Sequence, residues 1–165
     1  MKPLILWSLL LCASVSATAQ TAKIKSSDFE VLTGPAFSGT LTTHNHLLGT
    51  TETVNIKLTV RASKEEKNTF TFTYEFPDDA TQNEAETMAI VSGGRFLNNQ
   101  EVAERTQLPN GAVRIITEEA QAEGKRAGFY VNRYLLGKNT FSLRVVEQVR
   151  DQESFRPVET YELKR

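Results

Sequence analysis

The stretch Thr69-Phe70-Thr71-Phe72-Thr73-Tyr74-Glu75-Phe76 decides the fold. Its four aromatic residues alternate with Thr69, Thr71, Thr73 and Glu75. An extended strand has a side-chain period of two, so the stretch is a ribbon with an aromatic face and a polar face. A helix would scatter the same aromatics around its circumference, and Thr, Phe and Tyr suit a pleated, half-buried surface better. The aromatic face has to be buried, and the neighbouring segments are strands that can bury it. Residues 53–61 place Val54, Ile56, Leu58 and Val60 on one side and Asn55, Lys57, Thr59 and Arg61 on the other. The charged connection 63–68 folds the two into an antiparallel hairpin.

Working outward, residues 37–43 form a first strand with Phe37, Gly39 and Leu41 on one face. Ser26-Ser27-Asp28 offers a helix start, and Gly34-Pro35 a stop, for one helical turn that plugs an end of the domain. The preceding 20–25 are polar and loose. Downstream, Pro77-Asp78-Asp79 breaks the aromatic strand, and 83–86 hold one helical turn or nothing. Residues 87–92 are a short strand, and Gly93-Gly94 is a two-residue hairpin turn into 95–97. Further strands fall at 101–107, 112–117, 127–136, 140–150 and 155–165. Pro109-Asn110-Gly111 is a turn, 121–126 a loop, and Pro157 sits near the start of the last strand, where the ladder tolerates it.

The hairpin through Gly137-Lys138-Asn139 admits two registers. A two-residue loop groups Tyr130, Asn132 and Tyr134 with Phe141, Leu143 and Val145. A three-residue loop groups Phe129, Val131, Arg133 and Leu135 with that face, and turns Arg133 and Glu147 inward. The second shares the more apolar face and is the one expected. A slip of one residue reverses every side chain.

Nine or ten short strands on tight connections leave no room for helical crossovers, so the sheet is an antiparallel meander. Such a twisted meander curls and closes, which removes its edges. The expected fold is all-β: an up-and-down barrel, or a strongly curled half-barrel, with a two-sheet sandwich as the alternative. The short helical entry at 27–32, the run Gly34-Pro35-Ala36-Phe37-Ser38-Gly39-Thr40-Leu41 and the successive hairpins resemble the calycin superfamily, the lipocalin and fatty-acid-binding-protein group. Lipocalins carry Gly-x-Trp at that entry; here Gly34-Pro35-Ala36 is followed by Phe37. The resemblance implies a secreted bacterial barrel that binds a small ligand.

Residues 1–19 have the pattern of a secretory signal peptide. Lys2 gives a positive start, Leu4 to Leu11 is an apolar run broken by Ser8, and Ala17-Thr18-Ala19 is an A-x-A cleavage site. The run is too short for a permanent transmembrane helix. Cys12, the chain's one cysteine, leaves with this peptide, and Leu11 before it does not suit lipid attachment. The mature chain, residues 20–165, reads as one domain. It holds 18 basic and 20 acidic side chains once Lys2 is removed, with no basic stripe to bind nucleic acid. A periplasmic or extracellular location follows. An outer-membrane barrel is disfavoured by the polar strand at 101–107 and by the ending Glu162-Leu163-Lys164-Arg165 in place of an aromatic residue.

The expected site is the barrel lining: Val54, Ile56, Leu58, Phe70, Phe72, Tyr74, Phe76, Arg133, Phe141 and Leu143. A small hydrophobic or amphipathic ligand would lie there, with Arg133 available to a ligand carboxylate and tyrosines offering polar tips. The alternative is a non-enzymatic protein-interaction or inhibitor module with a filled core, which presents the loops 63–68 and 77–86. His44 and His46 are the two histidines, spaced to share a strand face, and a distant carboxylate such as Glu52 would have to complete a zinc site. No Gly-x-Ser-x-Gly, Walker or dinucleotide motif is present, so neither a catalytic residue nor a cofactor is expected.

Overall fold

A computed structural model describes residues 22–121, 128–149 and 154–165. The signal-peptide reading, Gln20, the loop through 126 and Arg150 lie outside these residues. Helix α1 is Ser26–Glu30, and ten strands follow: β1 Phe37–Asn45, β2 Thr50–Ala62, β3 Thr69–Glu75, β4 Glu84–Val91, β5 Phe96–Leu97, β6 Gln100–Gln107, β7 Val113–Gln121, β8 Gly128–Gly137, β9 Thr140–Val149 and β10 Phe155–Lys164. All neighbouring strands are antiparallel, and β10 pairs with β1 to close a barrel in meander order. The architecture is compatible with a calycin-like fold. No helix among the described residues is long and apolar enough to cross a membrane.

The aromatic ribbon behaves as its alternation requires. Phe70, Phe72 and Tyr74 are buried, and β3 lies between β2 and β4 with Val60 opposite Phe72 and Leu58 opposite Tyr74. α1 closes one end of the barrel. Phe29 is fully buried against Phe70 and Phe72, with ring centroids 5.5 and 6.4 Å away. Asp28 beneath it is also buried. Its carboxylate accepts hydrogen bonds from the Lys25 amide (2.9 Å) and from Arg105 Nε (2.7 Å) and Nη2 (2.6 Å). Arg165 completes the closed end: its guanidinium lies 3.9 Å over the Phe37 ring and donates to the carbonyls of Leu32, Thr33 and Lys138.

Four expectations need correction. Residues 22–25 are not loose, because Ile24 is buried and its amide donates to the Gly94 carbonyl at 2.9 Å. Gly93-Gly94 is not a two-residue hairpin turn: Ser92–Gly94 form a 3-10 turn, and the chain reaches β5 only at Phe96. Ile24 docks on this turn, so closely that a Cβ on Gly94 would lie 2.2 Å from the Ile24 carbonyl oxygen. The helical turn considered for 83–86 lies earlier, at Ala80–Gln82, where the Asp79 side chain accepts from the Thr81 amide. The β8–β9 hairpin takes the other register, on a two-residue Lys138-Asn139 turn: Leu136 faces Phe141, Tyr134 faces Leu143 and Asn132 faces Val145. Arg133 therefore points outward, opposite Arg144, and is exposed. Packing explains the choice, since Tyr134 and Leu136 fill the core beside Phe141 and Leu143 while Arg133 keeps its hydration.

Two β-bulges change which residues face inward. In β6 the register shifts between Val102 and Glu104, so Val102 and Arg105 share the inner face although three positions separate them. In β10 it shifts between Pro157 and Glu159, and Arg156 and Glu159 both face inward, opposite Glu147 and Val145.

Candidate functional site

The two ends of the barrel differ in chemistry. Toward α1 the interior is packed with side chains: Leu58, Phe72, Ile115, Leu136 and Phe141 have no exposed surface, which leaves no water-sized void against them. Toward the other end the inner-face pattern turns polar. Register places Thr43 and Asn45 of β1, Glu52 of β2, Glu84 and Glu86 of β4, Tyr130 and Asn132 of β8, Glu147 of β9 and Glu159 of β10 on the inside. All four tyrosines of the chain face inward here. Tyr74 and Tyr161 pack together with centroids 5.6 Å apart.

A cavity of about 870 Å³ opens at this end. Its walls come from β8, β9, β10, β1 and β2, five consecutive strands of the barrel, and from the 46–49 turn. Glu52, Glu147 and Glu159 supply carboxylates, Arg156 a cation, and Tyr130 a phenol. Leu47 and Leu48 form the rim with Phe129; they are 74%, 73% and 53% exposed. Phe155 is a further exposed apolar residue at the start of β10. The cavity thus has an apolar lip and a polar, largely acidic floor.

The electrostatics follow from that floor. Arg156 Nη2 lies 3.7 Å from Glu147 Oε1, and its Nε is buried with no hydrogen-bond partner. Deeper in, burial is the main force that pushes the Tyr74 hydroxyl well above its ordinary pKa, with Glu86, Tyr161, Tyr134 and Glu84 adding to it. Burial likewise raises Tyr161, followed by the charge of Glu159, which accepts its hydroxyl at 3.1 Å. Glu86 is open to water along its side chain, yet its carboxyl is raised by desolvation and then by the charges of Glu84 and Glu159. Register places these groups on the inner face of β3, β4 and β10, and the Tyr74 and Tyr161 rings are in contact. On the β8 side, a neutral chain of hydrogen bonds runs from Asn132 to Thr117 to Gln100, whose amide reaches Glu119 at 3.4 Å.

Most of the residues predicted to line a site are brought together, but in the packed interior. Ile56, Leu58, Phe70, Phe72, Tyr74, Phe76, Phe141 and Leu143 belong to one core cluster, and Val54 packs against it. None of them walls the open cavity, and Arg133 stands on the outer surface. The inward ion pair of Glu147 is made with Arg156. Sequence periodicity missed Arg156 because a bulge separates it from the regular alternation of β10. Glu84 and Glu86 carried a readable signal, since positions i and i+2 share a face, but that face is known only from pairing with Tyr74 and Phe72. His44 and His46 stack with ring centroids 6.3 Å apart at the cavity edge. His44 Nδ1 contacts Thr51 Oγ1, and His46 Nε2 donates to the Pro157 carbonyl at 2.6 Å. Among the described residues, no group of three or more His, Cys, Asp or Glu is placed to hold a metal ion.

Compared with known proteins, the chain matches no family model and no curated protein sequence.

Proposed function

We propose that this protein is an exported, calycin-like barrel that holds a small amphipathic ligand in its open half, and that its role is binding rather than catalysis. The observation that carries the reading is the cavity of about 870 Å³ with an apolar lip and a polar floor. Its volume falls within the roughly 300–1,000 Å³ of small-molecule sites; its lining is more polar than that of most such sites, with the apolar side chains at the lip. Export rests on the leader pattern of residues 1–19. The calycin assignment is supported by the closed meander, the helical plug at one end, and Phe37, which follows Gly34-Pro35-Ala36 and is covered by Arg165.

Native mass spectrometry of the mature protein taken from envelope extract tests this reading. The expected result is an added mass of a few hundred daltons that is released on activation. A homogeneous ligand-free mass, together with no uptake of amphipathic fluorescent probes, would remove it. A second reading, a protein-interaction module, is favoured by the filled half of the barrel and the exposed Leu47, Leu48 and Phe155. It predicts a specific envelope partner that is lost when the 46–49 turn is replaced by polar residues.

A further inference from the structure

One side chain on the floor of the open cavity lacks the partners its chemistry calls for. Arg156 faces inward from β10 opposite Glu147, and its guanidinium makes no hydrogen bond among the described residues. Its one ionic contact, Nη2 to Glu147 Oε1, is 3.7 Å long, beyond hydrogen-bond reach. Its Nε is buried without any partner. A buried donor in this state is destabilising, and the great majority of such donors are satisfied. The same cavity holds two carboxylates without a cation. Strand register sets Glu159 of β10 and Glu52 of β2 on either side of Thr43, and among the described residues no Lys, Arg or His forms an ion pair with either. Glu159 accepts the Tyr161 hydroxyl, a neutral donor that leaves its charge uncompensated. His44 and His46 at the cavity edge each have a ring nitrogen engaged, by Thr51 and by the Pro157 carbonyl.

Resting on the ligand-carrying reading above, we propose that the ligand is a zwitterionic amphiphile: its acid group takes the Arg156 guanidinium, its ammonium group lies between Glu52 and Glu159, and its apolar part reaches the lip at Leu47, Leu48 and Phe129.

Each half of the headgroup answers one of the two features. A guanidinium binds a carboxylate or phosphate through two parallel N–H···O bonds, and a small turn away from Glu147 presents Nε and an Nη together as such a fork. An ammonium brings three N–H donors, which suit the carboxylates of Glu52 and Glu159. Neither sign of charge serves alone. A simple anion meets Glu52, Glu147 and Glu159 as repulsion, and a simple cation leaves Arg156 without an acceptor. The lip is apolar and faces solvent, which places the tail at the mouth and the charged head on the floor.

Titration calorimetry at pH 7 with octyl-length probes provides the test. Two zwitterions, 2-aminooctanoate and octyl phosphoethanolamine, are compared with octanoate and octylammonium, each added to the mature protein. At least one zwitterion should bind tenfold or more tightly than both singly charged probes, and which of the two it is tells a carboxylate head from a phosphate head. Arg156→Gln should bring that zwitterion down to the octylammonium level without weakening octylammonium. The isosteric double variant E52Q/E159Q should bring it down to the octanoate level without weakening octanoate. Thermal melts show whether each variant is folded. Arg156→Lys, which keeps the charge but not the fork, stands in with a several-fold loss if Arg156→Gln is not folded, and Glu159→Gln stands in for the double variant. Octanoate or octylammonium binding as tightly as both zwitterions, or a folded Arg156 variant binding them like the wild type, overturns the zwitterionic assignment and leaves the carrier reading intact. If all four probes fail to bind, the uncharged dye N-phenyl-1-naphthylamine separates the two readings: with uptake of the dye only this inference falls, and without it both do.

Discussion

Arg105→Met should unfasten the plug that closes the barrel. In the native protein Asp28 is 3% exposed and its carboxylate accepts three hydrogen bonds, two of them from Arg105 at 2.6 and 2.7 Å. The Arg105 guanidinium is held charged by those bonds more firmly than in water. Methionine keeps much of the side-chain volume but leaves a buried carboxylate with only the Lys25 amide. Breaking a buried ion pair from one side typically costs about 3–5 kcal/mol. With a urea slope of about 2 kcal/mol/M, the unfolding midpoint falls by roughly 2 M. Asp28→Asn costs less, about 1.5–3 kcal/mol, because Arg105 is partly exposed and can turn to water. The double variant removes both charges, so its loss should be smaller than the sum of the two by at least about 1.5 kcal/mol. Urea melts of the four proteins measure this coupling. Losses that add within about 0.5 kcal/mol would refute the idea that this pair holds α1 in place.

Phe72→Ala should cost about 3–5 kcal/mol, since the ring has no exposed surface and packs on Phe29 and Phe141, whereas Thr71→Ala on the opposite face should cost no more than about 1 kcal/mol; equal losses in denaturant melts would contradict the alternation. Glu86→Gln should stabilise the protein at neutral pH. The carboxyl's pKa is raised in the fold, so stability is full below the ordinary glutamate value of about 4.3 and is lost as pH rises through the higher folded value; the gain from Gln should vanish near pH 4, and a variant less stable than wild type at pH 7 counts against the desolvated site. Gly39→Ala should loosen the β1–β10 seam, because a Cβ there would lie 2.0 Å from the Glu162 carbonyl oxygen; hydrogen exchange should accelerate in β10 ahead of β7, and unchanged protection in both would count against the seam's closeness.

The sequence by itself determined the strands and most of their faces, because period-two alternation is a local property. Residues 69–76 and 53–61 state which side chains are buried without reference to anything else, and the meander follows from connections too short for crossovers. It also determined that a helical turn near Asp28 precedes β1. Tertiary structure decided what no local pattern contains. The β8–β9 turn could close in two ways, and only packing of Tyr134 and Leu136 beside Phe141 and Leu143 sends Arg133 outward. Bulges at Val102/Glu104 and Pro157/Glu159 shift the alternation, and they aim Arg105 at Asp28 and Arg156 at Glu147. The candidate site has the same origin. Glu52, Glu147, Arg156 and Glu159 are far apart in the chain, and the closure of β10 on β1 gathers them around one cavity, so their chemistry belongs to the closed sheet rather than to any one strand.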